Sequence, residues 1–171
     1  MNQSDAHLFK LTAIIFDGAL GSYYYPSISA LQTQIGIDSL AQGWGASELA
    51  QSFLGTTPEA QAKSLALNFG LNPDSTDPAS ADKIAYDFFL SNLNSGMNVG
   101  TLALAAIRYL EQDEILPILE ATKDYLENRA EVAYQYSNEL GLGGAEVEEL
   151  QAAIEDVTSD EKSVPKVLQD I

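Results

Sequence analysis

The chain has 171 residues, 25 of them acidic and 8 basic, for a formal net charge of −17. A hydrophobic share of 46% beside 19% charged residues supplies enough apolar surface for a buried core, so wholesale disorder is excluded and the length suits one helical domain over residues 1–171. With no cysteine and one histidine, disulfides, thiolate catalysis and Cys- or His-rich metal sites are excluded too.

The first predicted helix covers Asp5 to Phe16, where Leu8, Leu11, Ile14 and Ile15 recur at spacings of three and four, with Gly18 and Gly21 as breakers. Gly21-Ser-Tyr-Tyr-Tyr-Pro26 reads as a turn before a short helix from Ser27 to Ile35, and Gly36, Gly43 and Gly45 interrupt the stretch between that helix and Ser47. Ser47 caps a helix through Leu54. Thr57-Pro58-Glu59 opens the next, through Phe69, with a hydroxyl for the free amides, a proline where no amide is needed and an acid at the positive end of the dipole. Gly70 is its left-handed stop. The polar, proline-bearing stretch 71–80 is the clearest loop and a candidate joint between subdomains.

Ser80 opens a helix to Leu93, with Ala81, Ile84, Ala85, Phe88 and Phe89 as its inward stripe, and Asn98 caps another through Leu110. The longest predicted helix begins after Gln112-Asp113, holds Pro117 in its first turn, and continues to Leu140 with Glu120, Asp124, Glu127 and Glu131 on its wet side. Arg129 falls within the apolar stripe of that helix. A structural ion pair with a carboxylate from another helix is the expectation, because a buried guanidinium must be paired; ligand binding is the alternative. Helices from Ala145 to Asp156 and from Glu161 to Ile171 complete the chain, the last restricted by Pro165. No segment alternates as a strand does. The fold class is therefore all-α, a compact multi-helix bundle of about seven to nine helices. A shift of 53 positions sets Leu40-Ala-Gln-Gly43 through Leu49-Ala50 on Leu93-Asn-Ser-Gly96 through Leu102-Ala103, which fits two duplicated helical hairpins or generic hairpin convergence.

Charge narrows the partners. Residues 1–110 hold 9 acids and 4 bases, whereas residues 111–171 hold 16 acids and 4 bases. Such a surface repels phosphate backbones and anionic lipid, which argues against nucleic acid and membrane surfaces. The longest apolar runs, such as Leu102 to Ile107, fall far short of the roughly 20 residues a membrane helix needs, so no membrane insertion is expected. The start, Met-Asn-Gln-Ser-Asp-Ala-His-Leu, lacks the charged and apolar regions of a secretory signal, so classical signal-peptide export is not expected; type I secretion reads a signal elsewhere.

Asp74, Asp77 and Asp82, with Asn72 and Ser75, offer oxygens to calcium without the spacing of an EF-hand, and a solvated loop with turn-forming and capping acids is the alternative; no cofactor is expected, calcium staying open without a motif that indicates it. Gly141-Leu-Gly143-Gly144 lacks the strand and the lysine of a phosphate loop. His7 has no matched serine or cysteine motif, and no carboxylate pair is marked as a glycosidase dyad, so a non-enzymatic protein is expected. Tyr23, Tyr24, Tyr25 and Trp44 are the candidate ligand-binding residues. Clustered on a loop, they can stack on sugar rings or contact a protein; core and turn packing is the alternative.

The order of segments, Leu11 to Leu20, Leu40-Ala-Gln-Gly43 to Leu54, Ala85 to Ile107, Asn128-Arg-Ala-Glu-Val-Ala-Tyr-Gln-Tyr136 to Leu142, and Ala153-Ile-Glu-Asp-Val-Thr158 to Ile171, resembles the helical domains of large bacterial type I-secreted proteins, including RTX-type adhesins and S-layer proteins. The glycine-aspartate calcium repeats of those proteins are absent from this chain, so calcium is not carried over. The resemblance implies a non-enzymatic extracellular or cell-surface module that attaches a larger assembly to a cell-surface polysaccharide or a protein partner. The alternative expectation, from the acidic C-terminal third, is a cytoplasmic helical adaptor for a basic protein partner.

Overall fold

A central helix, α1 (Gln3–Phe16), organises the computed structural model, which describes all 171 residues. Every residue from Leu8 to Ile15 is buried, so α1 is covered on all sides, and the two polar residues in that stretch, Lys10 and Thr12, both have hydrogen-bond partners. It separates two cores. Leu11, Ile14 and Ile15 pack with Leu54, Leu65, Phe69, Leu102 and Ile107 on one side, while Leu8, Phe9 and Ala13 pack with Val132, Ala133, Leu150 and Ile154 on the other.

Ten α-helices surround or include this axis, and no strand is present. After α1 come α2 (Gly21–Ile35), α3 (Ile37–Gly45), α4 (Glu48–Leu54), α5 (Pro58–Asn68), α6 (Ala81–Asn94) and α7 (Val99–Leu110). A 3₁₀ turn, Pro117–Leu119, leads into α8 (Glu120–Tyr134), which widens into a π-helical turn over Gln135–Glu139; α9 (Val147–Glu155) and α10 (Ser163–Asp170) finish the fold. The expected starts at Ser47, Thr57, Ser80 and Asn98 are all caps whose side-chain oxygen accepts a backbone amide of the first turn. Each is worth about 1 kcal/mol. Pro165 sits in the first turn of α10, where a missing amide breaks no helical bond. The loop 71–80 folds the chain back so that α6 packs along α5.

Three sequence expectations need correction. The count of about seven to nine helices is too low, because glycines within α3 read locally as interruptions. Gly43 and Gly45 instead lie inside that helix, and Gly45 lets α7 come close. Tyr23, Tyr24 and Tyr25 are not on a loop but in the first turns of α2, which begins at Gly21 and carries Pro26 on its exposed side. The inward stripe of α6 is incomplete, for Phe89 is buried but Phe88 is 48% exposed. The 53-residue shift also meets different backbone roles: Gly43 is helical, Gly96 takes φ +90° after α6, and the caps Ser47 and Asn98 do not coincide under it.

Polar bridges tie the C-terminal end of α7 to the helices beside it. Arg108 donates to both carboxylate oxygens of Asp38 at 2.7 and 2.8 Å, and the buried Lys10 of α1 reaches Glu111 at 2.8 Å, with the His7 ring nitrogen 2.7 Å from the other oxygen. Burial pushes the Glu111 carboxyl up, but the hydrogen bonds from Lys10 and His7 outweigh it and hold the group below the usual glutamate range. A carboxyl with a depressed folded-state pKa stabilises above its unfolded value and loses that contribution as pH falls through the folded value. Melting wild type and Glu111→Gln side by side is expected to show a gap at about pH 6 that closes as the pH falls from there to below the usual glutamate range. A constant gap across that range contradicts the pairing.

Candidate functional site

Thr57, Ser80 and Asn98 begin their helices with their own side chains; α2 does not. Its residue before the first turn is Leu20, which gives no side-chain cap. The free amides are met from far along the chain: Gly21 N–H donates to Ser137 Oγ at 2.9 Å, Ser22 N–H to the Leu142 carbonyl at 2.6 Å, and Tyr23 N–H to the Gly143 carbonyl at 3.3 Å. The π-helical turn places Ser137 for this, and Gly143, at φ +89°, brings its backbone so near that a Cβ would lie 2.7 Å from the Gly21 Cα. Within the 141–144 segment it is thus Gly143 that seats the start of α2.

Docking α2 on this loop opens a groove of about 260 Å³ between the end of α1, the first turns of α2, the ends of α3 and α4, and the start of α9. Its wall is aromatic. Trp44 meets Phe16 edge-on at 5.1 Å between centroids, and Phe53 meets Phe16 at 5.9 Å. Tyr24, Leu49 and Leu150 complete the contact surface, with Tyr24 37% and Leu49 57% exposed. Two of the four candidate aromatics therefore converge here. Tyr23 lies beside them, 64% exposed and edge-on to Tyr24 at 4.9 Å, without lining the groove.

Tyr25 points the other way. Its ring packs on Phe9 at 5.3 Å and its hydroxyl donates to Asp5 at 3.1 Å; burial first, and then the Asp5 carboxylate, push the phenol up to about 12. It ties α2 to α1. Arg129 is buried on α8, where it donates to Asp17 at 2.5 Å and to the Asn68 carbonyl at 3.2 Å and lies 5.3 Å from the centre of the Tyr125 ring. Its Nε has no partner. Asp17, the left-handed residue that ends α1 at φ 53°, is the carboxylate from another element that a buried arginine needs.

The groove has little polar chemistry to offer. No Asp, Glu, His, Lys or Arg lines it. Three of its side-chain donors are engaged by carbonyls of the chain, Thr12 by Leu8, Tyr24 by Ala145 and Gln151 by Phe16, while the Trp44 indole N–H is bonded to no group of the chain. Around it, α2, α3, α4 and α9 contain no lysine or arginine, while Glu48 and Glu148 flank the lining residues Leu49 and Val147 and join none of the ion pairs. Leu49 and Phe53 are absent from the candidates the sequence singles out. Their signal is present in it, because α4 already buries Ala50 and Leu54, so a second apolar pair four residues apart leaves an unpartnered edge.

The acids of the 71–80 region are engaged locally. Asp82 accepts the Asn72 amide, Asp77 the Ala79 amide, and Asp74 meets Lys63 at 2.9 Å. Compared with known proteins, the chain matches no family model, no curated protein and no solved structure, so its function is read from the groove itself.

Proposed function

We propose that this chain is a non-enzymatic docking module that holds an apolar, positively charged segment of a protein partner in the groove between α1, α2, α4 and α9. The observation that carries this reading is the pairing of an aromatic, apolar lining with the unpaired acids Glu48 of α4 and Glu148 of α9 at its edge, where α2, α4 and α9 bring no basic residue and Lys10 of α1 is buried against Glu111. A sugar needs a set of free donors and acceptors beside the aromatic face; the donors of Thr12, Tyr24 and Gln151 are already engaged, which leaves the Trp44 indole N–H as a single free donor rather than a set. An amphipathic helix or strand with leucine-like anchors and flanking lysines meets the apolar wall and the surrounding field together. Of the two occupants the resemblance implies, the lining favours the protein over the polysaccharide. Attachment within a secreted or cell-surface assembly is the setting proposed with it.

The test uses a short designed peptide of leucine and lysine at helical spacing, and Leu49→Asp in the protein. Leu49 is more than half exposed, so the substitution leaves the fold intact. It adds negative charge near a basic ligand, yet the expected result is at least a tenfold loss of affinity, about 1.4 kcal/mol, because the apolar contact is lost. Equal or tighter binding by Leu49→Asp overturns the groove as the contact site. Binding to envelope polysaccharide that survives Leu49→Asp overturns it as well.

A further inference from the structure

A second cavity lies on the opposite core, where the end of α5, α6, α7 and the Pro117–Leu119 turn enclose about 270 Å³. Its lining runs from the interior to the surface. Phe69, Phe89, Leu110 and Leu119 are 1%, 3%, 5% and 8% exposed and form the floor, whereas Phe88, Leu116 and Tyr109 keep 48%, 46% and 37% of their surface in water at the mouth. The space is therefore a pit that reaches the core and not a shallow apolar face. Packed interiors keep few voids larger than a water molecule, and an apolar void about half this size stays dry and accepts benzene. Scaled from that case, the pit holds about ten carbon atoms.

The lining also sets the chemistry of the occupant. Eleven of its twelve residues are hydrophobic, and the twelfth, Thr122, is buried. The Tyr109 hydroxyl accepts the Leu116 amide at 3.3 Å, which ties the segment before the 3₁₀ turn to α7 and leaves its own proton free to donate. The cations on the bordering helices do not form a carboxylate clamp: Lys63 is paired with Asp74, Lys83 with Asp87 and Arg108 with Asp38, and the remaining one, Lys123, shares the first turns of α8 with Glu120 and Asp124. In a chain of net charge −17, an anionic head group is disfavoured at this mouth.

We infer that the pit is a binding site for a small, uncharged apolar molecule, such as a medium-chain alkyl alcohol or an aromatic hydrocarbon of similar size. It shares no lining residue with the groove, so neither reading depends on the other. The probe is N-phenyl-1-naphthylamine, a neutral dye that fluoresces in apolar surroundings, displaced by 1-decanol or by decanoate. Wild type is expected to bind the dye saturably, 1-decanol to displace it, and decanoate to do so at least tenfold less well. Ala85→Leu, which fills the pit from α6, is expected to weaken dye binding at least tenfold. A measurement that needs no variant accompanies it: 1-decanol raises the melting temperature of wild type saturably and decanoate does not. Absence of saturable dye binding and of a 1-decanol-induced rise overturns the site. Unchanged dye affinity in a folded Ala85→Leu overturns its location, and equal competition by decanoate overturns the ligand class.

Discussion

Gly100→Ala is expected to destabilise the protein by about 2–3 kcal/mol, lowering the melting temperature by roughly 6–10 °C for a chain of this size. Alanine is the better helix former by about 1 kcal/mol, so intrinsic propensity predicts the opposite sign. Packing decides. A Cβ on Gly100 would stand 1.9 Å from the Ala41 carbonyl oxygen and 2.9 Å from the Gly45 amide nitrogen, both main-chain atoms of α3 that no rotamer change can move aside. The helices must separate, and the burial of Leu102, Ala103 and Ala41 suffers with them. Gly43→Ala is the matched control, since it lies in α3 with nothing within 4 Å of its added Cβ; it is expected to stabilise by about 0.5–1 kcal/mol. Thermal melts of the two variants measure both signs. A Gly100→Ala protein that melts at or above wild type contradicts the close crossing of α3 and α7.

The second large effect concerns the end of α1. Asp17→Ala is expected to cost about 4 kcal/mol, most of it from leaving the Arg129 charge buried without its carboxylate and about 1 from placing alanine in the left-handed region. The reverse substitution is milder. Arg129→Met leaves Asp17, whose side chain is half exposed, to water, and removes a guanidinium whose Nε is unsatisfied. It gives up the bond to the Asn68 carbonyl and the contact with Tyr125, for an expected cost of about 1–2 kcal/mol. The double variant Asp17→Asn with Arg129→Met keeps a residue tolerant of positive φ and is expected to recover at least half of the Asp17→Ala loss. Urea unfolding of wild type and these variants measures each loss. Equal, small losses for Asp17→Ala and Arg129→Met contradict a buried ion pair at this place.

Legibility in the sequence depends on the distance over which each feature is determined. Starts at Ser47, Thr57, Ser80 and Asn98 are readable because the cap and the amides it satisfies lie within three residues of each other. The start of α2 is not, since its amides are met by Ser137, Leu142 and Gly143, more than a hundred positions away, and without them Tyr23 to Pro26 has the composition of a turn. α3 is hidden for a related reason. Glycine weakens a helix locally, yet Gly45 is kept for an approach to Gly100 that only the folded chain reveals. Arg129 stands out because charge inside an apolar stripe demands a partner, while the identity of Asp17 comes from where α1 ends against α8. At the groove, Trp44 and Tyr24 are visible as residue types, but their convergence with Leu49, Phe53 and Leu150 is a product of five elements meeting.

Trp44 is the only tryptophan in the chain and it lines the groove, so its emission reports on occupancy of that site. The most direct measurement is therefore a titration of the leucine–lysine peptide into wild type, read at Trp44 and repeated at raised salt. The predicted result is a saturable shift of the emission on binding, weaker at high salt as the charges are screened but still present because the apolar contact is not. Peptide binding that leaves the Trp44 emission unmoved, or that vanishes entirely on raising the salt, contradicts a groove-bound partner and makes the interaction one of surface charge alone.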